Sequence, residues 1–373
     1  MNIIGIRSAK LSSSIKLIKH YKYPEIKNEL IVRIFYSKNL REVDVLKNRW
    51  SIYRSDFSTR KKMNRLDLYK INRGHYVPQA NIIVDEFSYI IQESVQKPSV
   101  ISTLINHGNK LTYRPSAWEQ IPIKHLRYLN CTSQLDENII FSGSIVQNFY
   151  HWLIEAIPRA AIWNAPEHKD KKIILPRLAC LKFHQETLNF FGISSDRILL
   201  VGEDVTISES LFLSRVAHSN TIFSPITASF FSKYRGITKT MGRKFYISRC
   251  NASFRRLLNE SEIVNALMSE GFECVTLESL TFEAQVNLFQ SADTVVAPHG
   301  AGLANAVFMP LGSKMVELIG SSFSAGMTSY SAIAEMFNIK YSLIIGQSTP
   351  QNNPVPENWD FEIPVEDIMI ALR

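Results

Sequence analysis

From residue 138 onward the apolar positions alternate between two spacings. Short apolar runs at residues 139–141, 172–175 and 197–201 predict strands covered on both faces. Between them, Phe149, Trp152, Leu153, Ala156 and Ile157 recur at helical spacing and predict a helix over 148–162, which Pro158 should bend or interrupt. Gly143 marks the turn before it, and a second helix, 178–191, is stopped by Gly192. The βαβαβ order implies a parallel sheet. A connector over 224–240 leads to a second series, opening with a strand at 245–248. Asn259 then caps a helix in capping-box spacing with Glu262; Ile263, Leu267 and Met268 share one face, and Gly271 ends it. A strand at 272–277, a helix at 282–292, a strand at 294–297 and a short helix from about Ala301 follow. A strand at 314–319, a helix at 331–337 and a strand at 340–345 complete the series. Pro350, Asn353, Pro354 and Pro356 mark a loop, and 365–372 closes as a short helix.

Residues 1–130 follow neither pattern. Apolar runs such as 31–35 and 81–84 stand among polar segments and prolines, which predicts several strands and loops. With no internal repeat, the chain divides into a basic N-terminal region (1–130), one Rossmann-like lobe (131–238), a second (239–352) and a C-terminal loop and helix (353–373). The fold class is α/β, with two Rossmann-like lobes and a cleft between them.

Three groups of residues could carry chemistry. His299, Gly300, Ala301 and Gly302 follow the 294–297 strand at its C-terminal end, where open α/β sheets bind ligands. Glycines there let the backbone approach an anion, and a helix starting at Ala301 would offer unpaired N–H groups. The run through Leu303 to Asn305 misses the dinucleotide pattern at its last position, while Glu317 on the next strand stands near where a ribose-binding carboxylate belongs. His151 and Glu155 are four residues apart on the 148–162 helix, so they can act on one small volume and remove a proton from a hydroxyl. Arg249 follows a strand end, and Arg255 and Arg256 precede the capped helix, placing guanidinium groups where phosphate could be gripped. Each group has a structural alternative: a tight turn, a polar helix edge, or surface pairing with Glu260 or Glu262.

Charge is unevenly placed. Residues 1–135 hold 23 Lys/Arg against 10 Asp/Glu, and the rest 19 against 24, so the net +8 belongs to the N-terminal third. Its densest part runs from Arg54 to Arg73 through Arg60, Lys61, Lys62, Arg65 and Lys70, a composition that can attract phosphates of a membrane surface. No zinc-finger or RNA-recognition spacing accompanies it, which argues against specific nucleic-acid binding. Cys131, Cys180, Cys250 and Cys274 are widely spaced, as in a reduced cytosolic protein. No signal-peptide pattern or 18-residue apolar run occurs, so a soluble or peripheral protein is expected, cytoplasmic or at the cytoplasmic face of the inner membrane.

Taken together, Asn148, His151, Glu155, Pro158 and Arg159, then Ile247, Ser248 and Arg249 with Arg255, Asn259 and Glu260, then Pro298 to Leu303 with Asn305, Phe308 and Pro310 resemble glycosyltransferase family 61. The motifs occur in that family's order over roughly residues 140–320, although six residues from Arg249 to Arg255 is a wider spacing than in many plant members, so Arg256 could replace Arg255. The resemblance implies a GT-B architecture and an inverting transfer without an essential metal. Its donor would be a nucleotide sugar, expected to be UDP-linked, with no other cofactor. It implies that 131–238 faces the acceptor, with 1–130 packed on it, and that 239–352 holds the donor. By position it makes Glu155 or His151 the base, with Glu155 preferred, and places Arg249, Arg255, His299, Gly300, Ala301, Gly302, Leu303, Asn305 and Glu317 around the donor. Bacterial members act in capsule or lipopolysaccharide assembly, which implies a glycan or lipid-linked glycan acceptor. A nicotinamide-dependent oxidoreductase would use the same glycine turn but gives no reason for the arginines; a non-catalytic nucleotide- or polysaccharide-binding module would need no base.

Overall fold

Alternating apolar-centred strands and amphipathic helices in the C-terminal half produce five parallel strands. The computed structural model describes residues 6–7, 15–22, 40–46, 50–55, 65–78, 81–85, 90–91, 133–140, 146–203, 205–213, 225–236, 242–323 and 329–373. The apolar run 31–35, the turn at Gly143, Phe141, Cys131 and the basic residues Arg60, Lys61 and Lys62 lie outside these. Two compact units divide the chain: one holds residues 1–27, 63–219 and 223–227, the other 28–62, 220–222 and 228–373.

In the second unit the strand Arg243–Ile247 is flanked by Phe272–Val275 on one side and Ala292–Pro298 on the other; Lys314–Gly320 and Lys340–Ser348 continue the sheet in parallel. The chain order therefore reverses between Arg243–Ile247 and Ala292–Pro298, the point at which doubly wound sheets open a crevice for ligands. Trp50–Ser55 from the N-terminal third extends this sheet antiparallel to Lys340–Ser348, and Leu40–Leu46 pairs antiparallel to Trp50–Ser55 at the edge. Its buried strands pack Tyr246, Val296, Val316, Leu318 and Ile344 against Ile263 and Leu267 of the helix Glu260–Ser269 and Ile368 of the helix Val365–Leu372. A segment around Phe361 clips onto the loop before Glu260. Leu258 donates its N–H to Phe361, Phe361 to Arg256 and Arg255 to Asn358.

The sheet of the first unit is mixed, not purely parallel. Ile139–Ile140, Ile173–Pro176 and Ile198–Val201 are parallel as expected, but Val205–Leu213, which the helical and strand spacings did not single out, pairs parallel to Ile139–Ile140 on one side. On the other it runs antiparallel to Arg65–Val77, which in turn pairs with Ile82–Asp85 and Ile15–Lys22. Arg65 and Lys70 of the basic stretch thus belong to a strand, and Lys70 forms an ion pair with Glu209.

Several local expectations change. Residues 148–162 form successive short turns: α over Phe149–His151, π over Trp152–Ala156, 3₁₀ over Ile157–Arg159 and α again over Ala160–Trp163. Pro158 has no N–H to give to the preceding turn, and the bonding upstream widens, Ile157 N–H reaching back to Trp152. The helix expected from 178 begins only at Lys182, and the connector over 224–240 contains the helix Pro225–Ser232. Asn259 occupies the N-cap position of its helix, yet its side chain makes no cap hydrogen bond; it bonds the backbone of Ile363 through both Nδ2 (2.8 Å) and Oδ1 (3.3 Å). Residues Ala301–Phe308 are 3₁₀, not α, so their termini offer a smaller aligned dipole than an α-helix would. Among the described residues no helix is long and apolar enough to cross a membrane.

Gly271 ends the helix Glu260–Ser269 with φ of 81°, and an added Cβ there would meet nothing within 4 Å. Gly271→Ala therefore isolates the left-handed backbone cost, and urea denaturation is expected to show a loss of about 1–2 kcal/mol with an unchanged m-value.

Candidate functional site

At the reversal point of the second unit's sheet, the backbone beyond Arg243–Ile247 is pinned before it turns away. Glu260 accepts hydrogen bonds from Tyr246 Oη (2.9 Å) and from the backbone N–H of Arg249 (3.1 Å). The Arg249 guanidinium then runs toward the glycine turn, where Nη2 donates to the Phe254 carbonyl (3.3 Å). A Cβ on Gly300 would collide with Arg249 Nη1, so glycine here serves close approach rather than an unusual backbone angle, its φ of −171° being ordinary extended chain.

Arg255 reaches the same place from a strained backbone. Its φ of 57° lies in the left-handed region, held by its N–H bond to Asn358 (3.1 Å). Its guanidinium lies over the rings of Phe254 (5.1 Å) and Phe323 (5.9 Å). Arg256 is committed elsewhere: its backbone N–H, Nε and Nη2 all donate to the buried Asp360, at 2.8, 2.9 and 2.7 Å. Of the two arginines, Arg255 is the one beside His299.

Nε of Arg249 and Nε of Arg255 are buried without a hydrogen-bond partner. Leaving a charged donor in that state costs about 1–3 kcal/mol each, an expense an incoming anion would remove. Burial pulls both groups below the ordinary arginine range, and Arg255, facing Arg249 as well, falls to about 10; both remain charged at neutral pH.

His299 sits between these arginines and the interior. Its Nδ1 bonds Glu317 Oε1, whose other oxygen accepts the Tyr341 hydroxyl (2.5 Å). Tyr341 is two residues before Leu343, the register partner of Glu317, so both side chains leave the sheet on one face. Phe323 packs on the imidazole at 4.4 Å and Tyr330 at 5.2 Å, while Tyr330 donates to the Gly300 carbonyl (2.6 Å). Burial lowers the His299 pKa; Glu317 opposes this, and Arg255 and Arg249 add to it. A small depression beside Arg255 and His299 is walled by Phe323, Glu357, Trp359 and Phe361.

Other sequence-selected residues of the turn have structural duties. Leu303 is core, Asn305 is fully buried with Nδ2 on Gln285 (2.9 Å), and a Cβ on Gly302 would press into Leu277. Ala301 and Gly302 remain partly exposed beside the arginines' turn.

In the first unit, Asn148 Oδ1 caps the turn by accepting from Tyr150 (2.9 Å) and His151 (3.4 Å). His151 Nδ1 meets Glu155 Oε1 at 2.8 Å, and Glu155 stands on the π turn, a local widening that recurs at functional sites. Arg159, only 1 % exposed, follows four residues on. Burial lowers its pKa to about 10, with Glu155 pulling the other way. This turn is anchored by Trp152 Nε1 on Thr187 (2.7 Å) and by His184 Nε2 on the Val146 carbonyl (2.7 Å), the latter imidazole being kept neutral by burial, which takes it to about 4.

Residues 149–316 match the family model described as Glycosyltransferase 61. The match contains His151, Glu155, Arg249, Arg255 and His299, and stops one residue short of Glu317. A protein O-linked-mannose beta-1,4-N-acetylglucosaminyltransferase 2 of Bos taurus is 32% identical over 128 residues, covering 32% of this chain and 22% of that protein. The Homo sapiens protein of the same name is 30% identical over 128 residues, with 32% and 22% covered. Beta-1,2-xylosyltransferase XYXT1 of Oryza sativa subsp. japonica is 33% identical over 92 residues, 24% of this chain and 20% of that protein. The matched part thus spans about a fifth of each relative. The match and the relatives support a glycosyltransferase; these relatives are animal and plant proteins, and none bears on a bacterial capsule.

Phe254, Phe323, Tyr330 and Tyr341 escape a reading of spacing because they meet the site only through the fold. The strain at Arg255 makes a separable prediction. Arg255→Gly and Arg255→Ala lose the same guanidinium, but only glycine relieves the left-handed backbone, so Arg255→Gly is expected to be about 1–2 kcal/mol more stable by urea denaturation.

Proposed function

We propose that this chain is an inverting, metal-independent glycosyltransferase that passes a sugar from a nucleotide sugar to a glycan acceptor. The observation that carries this is the pair of buried guanidinium groups, each with an unpartnered Nε, at the reversal point of a doubly wound sheet beside a glycine turn. A diphosphate is the natural occupant of such a place, and the family match supports a sugar as its cargo. Arg249 and Arg255 offset the negative charge that grows on the diphosphate as its bond to the sugar breaks, the task a divalent ion performs elsewhere. The nucleotide is proposed to be uridine-based.

The acceptor hydroxyl needs a base. His151 is assigned that role, with Glu155 as its positioning residue, which reverses the preference drawn from sequence. Glu155 is the more buried of the two, and its Oε1 meets His151 Nδ1 at 2.8 Å, a contact suited to orienting the imidazole. The proton passes to His151 as the acceptor oxygen attacks the anomeric carbon on the face opposite the diphosphate. The acceptor is proposed to be a glycan or lipid-linked glycan of cell-surface polysaccharide assembly, met at the cytoplasmic face of the membrane; the positive charge of residues 1–135 supports attraction to such a surface.

A thermal-shift screen of UDP-, GDP- and CMP-sugars beside NAD and NADP, followed by a transfer assay on the donor that binds, tests this directly; preference for a nicotinamide dinucleotide would refute it. In that assay His151→Ala is expected to lower the rate by about 10²–10⁴-fold with donor affinity unchanged, and Glu155→Gln to lower it less. If Glu155→Gln is inactive while His151→Ala transfers normally, the base is Glu155. Activity is expected to survive EDTA; loss on chelation with recovery on adding manganese or magnesium would contradict the arginine-based account.

A further inference from the structure

Phosphate binding by two arginines does not explain why His299 is tied into the interior through Glu317 to Tyr341. We propose that His299 is a proton-accepting contact for the donor's diphosphate, positioned by Glu317 and Tyr341: its imidazole takes one proton from solvent when the diphosphate docks. This rests on the donor site proposed above.

Glu317 is fully buried, and both of its oxygens are occupied, one by His299 Nδ1 and one by the Tyr341 hydroxyl. A carboxylate fixed in this way keeps the proton of the neutral ring on Nδ1 and leaves Nε2 as an acceptor. The ring cannot easily swing, because Phe323 and Tyr330 pack on it, and Tyr330 also holds the Gly300 carbonyl, coupling ring and turn.

The groups facing the imidazole come from every neighbouring element. Glu317 belongs to Lys314–Gly320, Tyr341 to Lys340–Ser348 behind it, Tyr330 to the helix Ser329–Met336, and Arg249 and Arg255 to the loop after Arg243–Ile247. Glu357 lines the same depression, and Glu278 acts on Arg249. With no anion present, burial and the two arginines oppose a second proton on the ring while Glu317 favours it. A diphosphate brought against the arginines neutralises them and supplies an acceptor oxygen, so the balance turns toward imidazolium.

The step is simple in its atoms. One N–H bond forms at Nε2, the proton comes from water or buffer, Nδ1–H stays on Glu317, and no bond of the donor breaks. A non-bridging phosphate oxygen then accepts from Nε2–H. When the sugar–phosphate bond later breaks, the growing charge meets an imidazolium already in place.

Calorimetric titration with UDP-N-acetylglucosamine, UDP-xylose and GDP-mannose, whose diphosphates do not titrate near neutrality, counts protons when repeated in buffers of different ionisation enthalpy. About one proton taken up per donor bound is expected near neutral pH. By linkage the affinity should fall as pH rises between the free and bound pKa of His299, by up to about tenfold per pH unit, and level off on either side. His299→Gln should bind more weakly, with no uptake and a flat profile. Glu317→Gln should move the fall to lower pH, whereas Tyr341→Phe, which keeps the buried carboxylate and so protects the fold, should move it to higher pH, because a carboxylate relieved of the Tyr341 hydroxyl holds the imidazolium more strongly. Donor binding that is lost in Arg255→Ala yet takes up no proton in the wild type overturns the role of His299 and leaves the donor site standing. Donor binding indifferent to Arg255→Ala overturns both.

Discussion

Two positive charges held close together in a partly buried place, with donors left unpaired, are the constraint around which the second unit is arranged. Guanidinium groups avoid one another and seek water, so the fold must fix each of them from behind. Glu260 fixes the backbone of Arg249, a left-handed turn and Asn358 fix Arg255, and the aromatic faces of Phe254 and Phe323 cover what water would otherwise solvate. Glycine at 300 follows from the same demand, since any side chain would occupy the volume of the Arg249 guanidinium. A site so prepared reorganises little when an anion arrives, which is the condition under which fixed charges stabilise an anion most.

The first unit meets the opposite difficulty, a carboxylate in the interior. Glu155 is accommodated by His151 on one side and Arg159 on the other, all on one broken turn. Widening of the backbone at Trp152–Ala156, ahead of Pro158, lets residues four apart stay in register across a stretch where a regular helix would be interrupted. The anchoring bonds of Trp152 and His184 keep that irregular turn from relaxing.

Much of this was legible in the chain. Strand positions in the parallel part were readable because strands buried on both faces are short apolar runs, as at Ala292–Pro298 and Lys314–Gly320. The site's first residues were readable because they stand at strand ends and beside glycines. What could not be read depends on contacts across the fold. Val205–Leu213 takes its place in the sheet from pairing with Arg65–Val77, far away in sequence, although its opening alternation at Val205 and Ile207 is a short local strand signal. The 3₁₀ geometry at Ala301–Phe308, where Leu303 to Met309 are buried in the interior, has no signature in the spacing of its residues. Asn259 has the sequence of a helix cap but finds a better partner in Ile363, and Arg256, equivalent to Arg255 on paper, is taken by Asp360; both partners lie 104 residues downstream.

That separation has a consequence for how the molecule is made. The loop carrying Arg249 and Arg255 takes its shape from Asn358, Asp360, Phe361 and Ile363, so it cannot be completed while the ribosome is still making the sheet it crowns. For the time needed to add about a hundred residues, the arginines lead an unformed loop on a nascent strand. Only closure of the last clip, at Asn358 to Ile363, gives that loop the contacts that hold Arg255 and Arg256 in place.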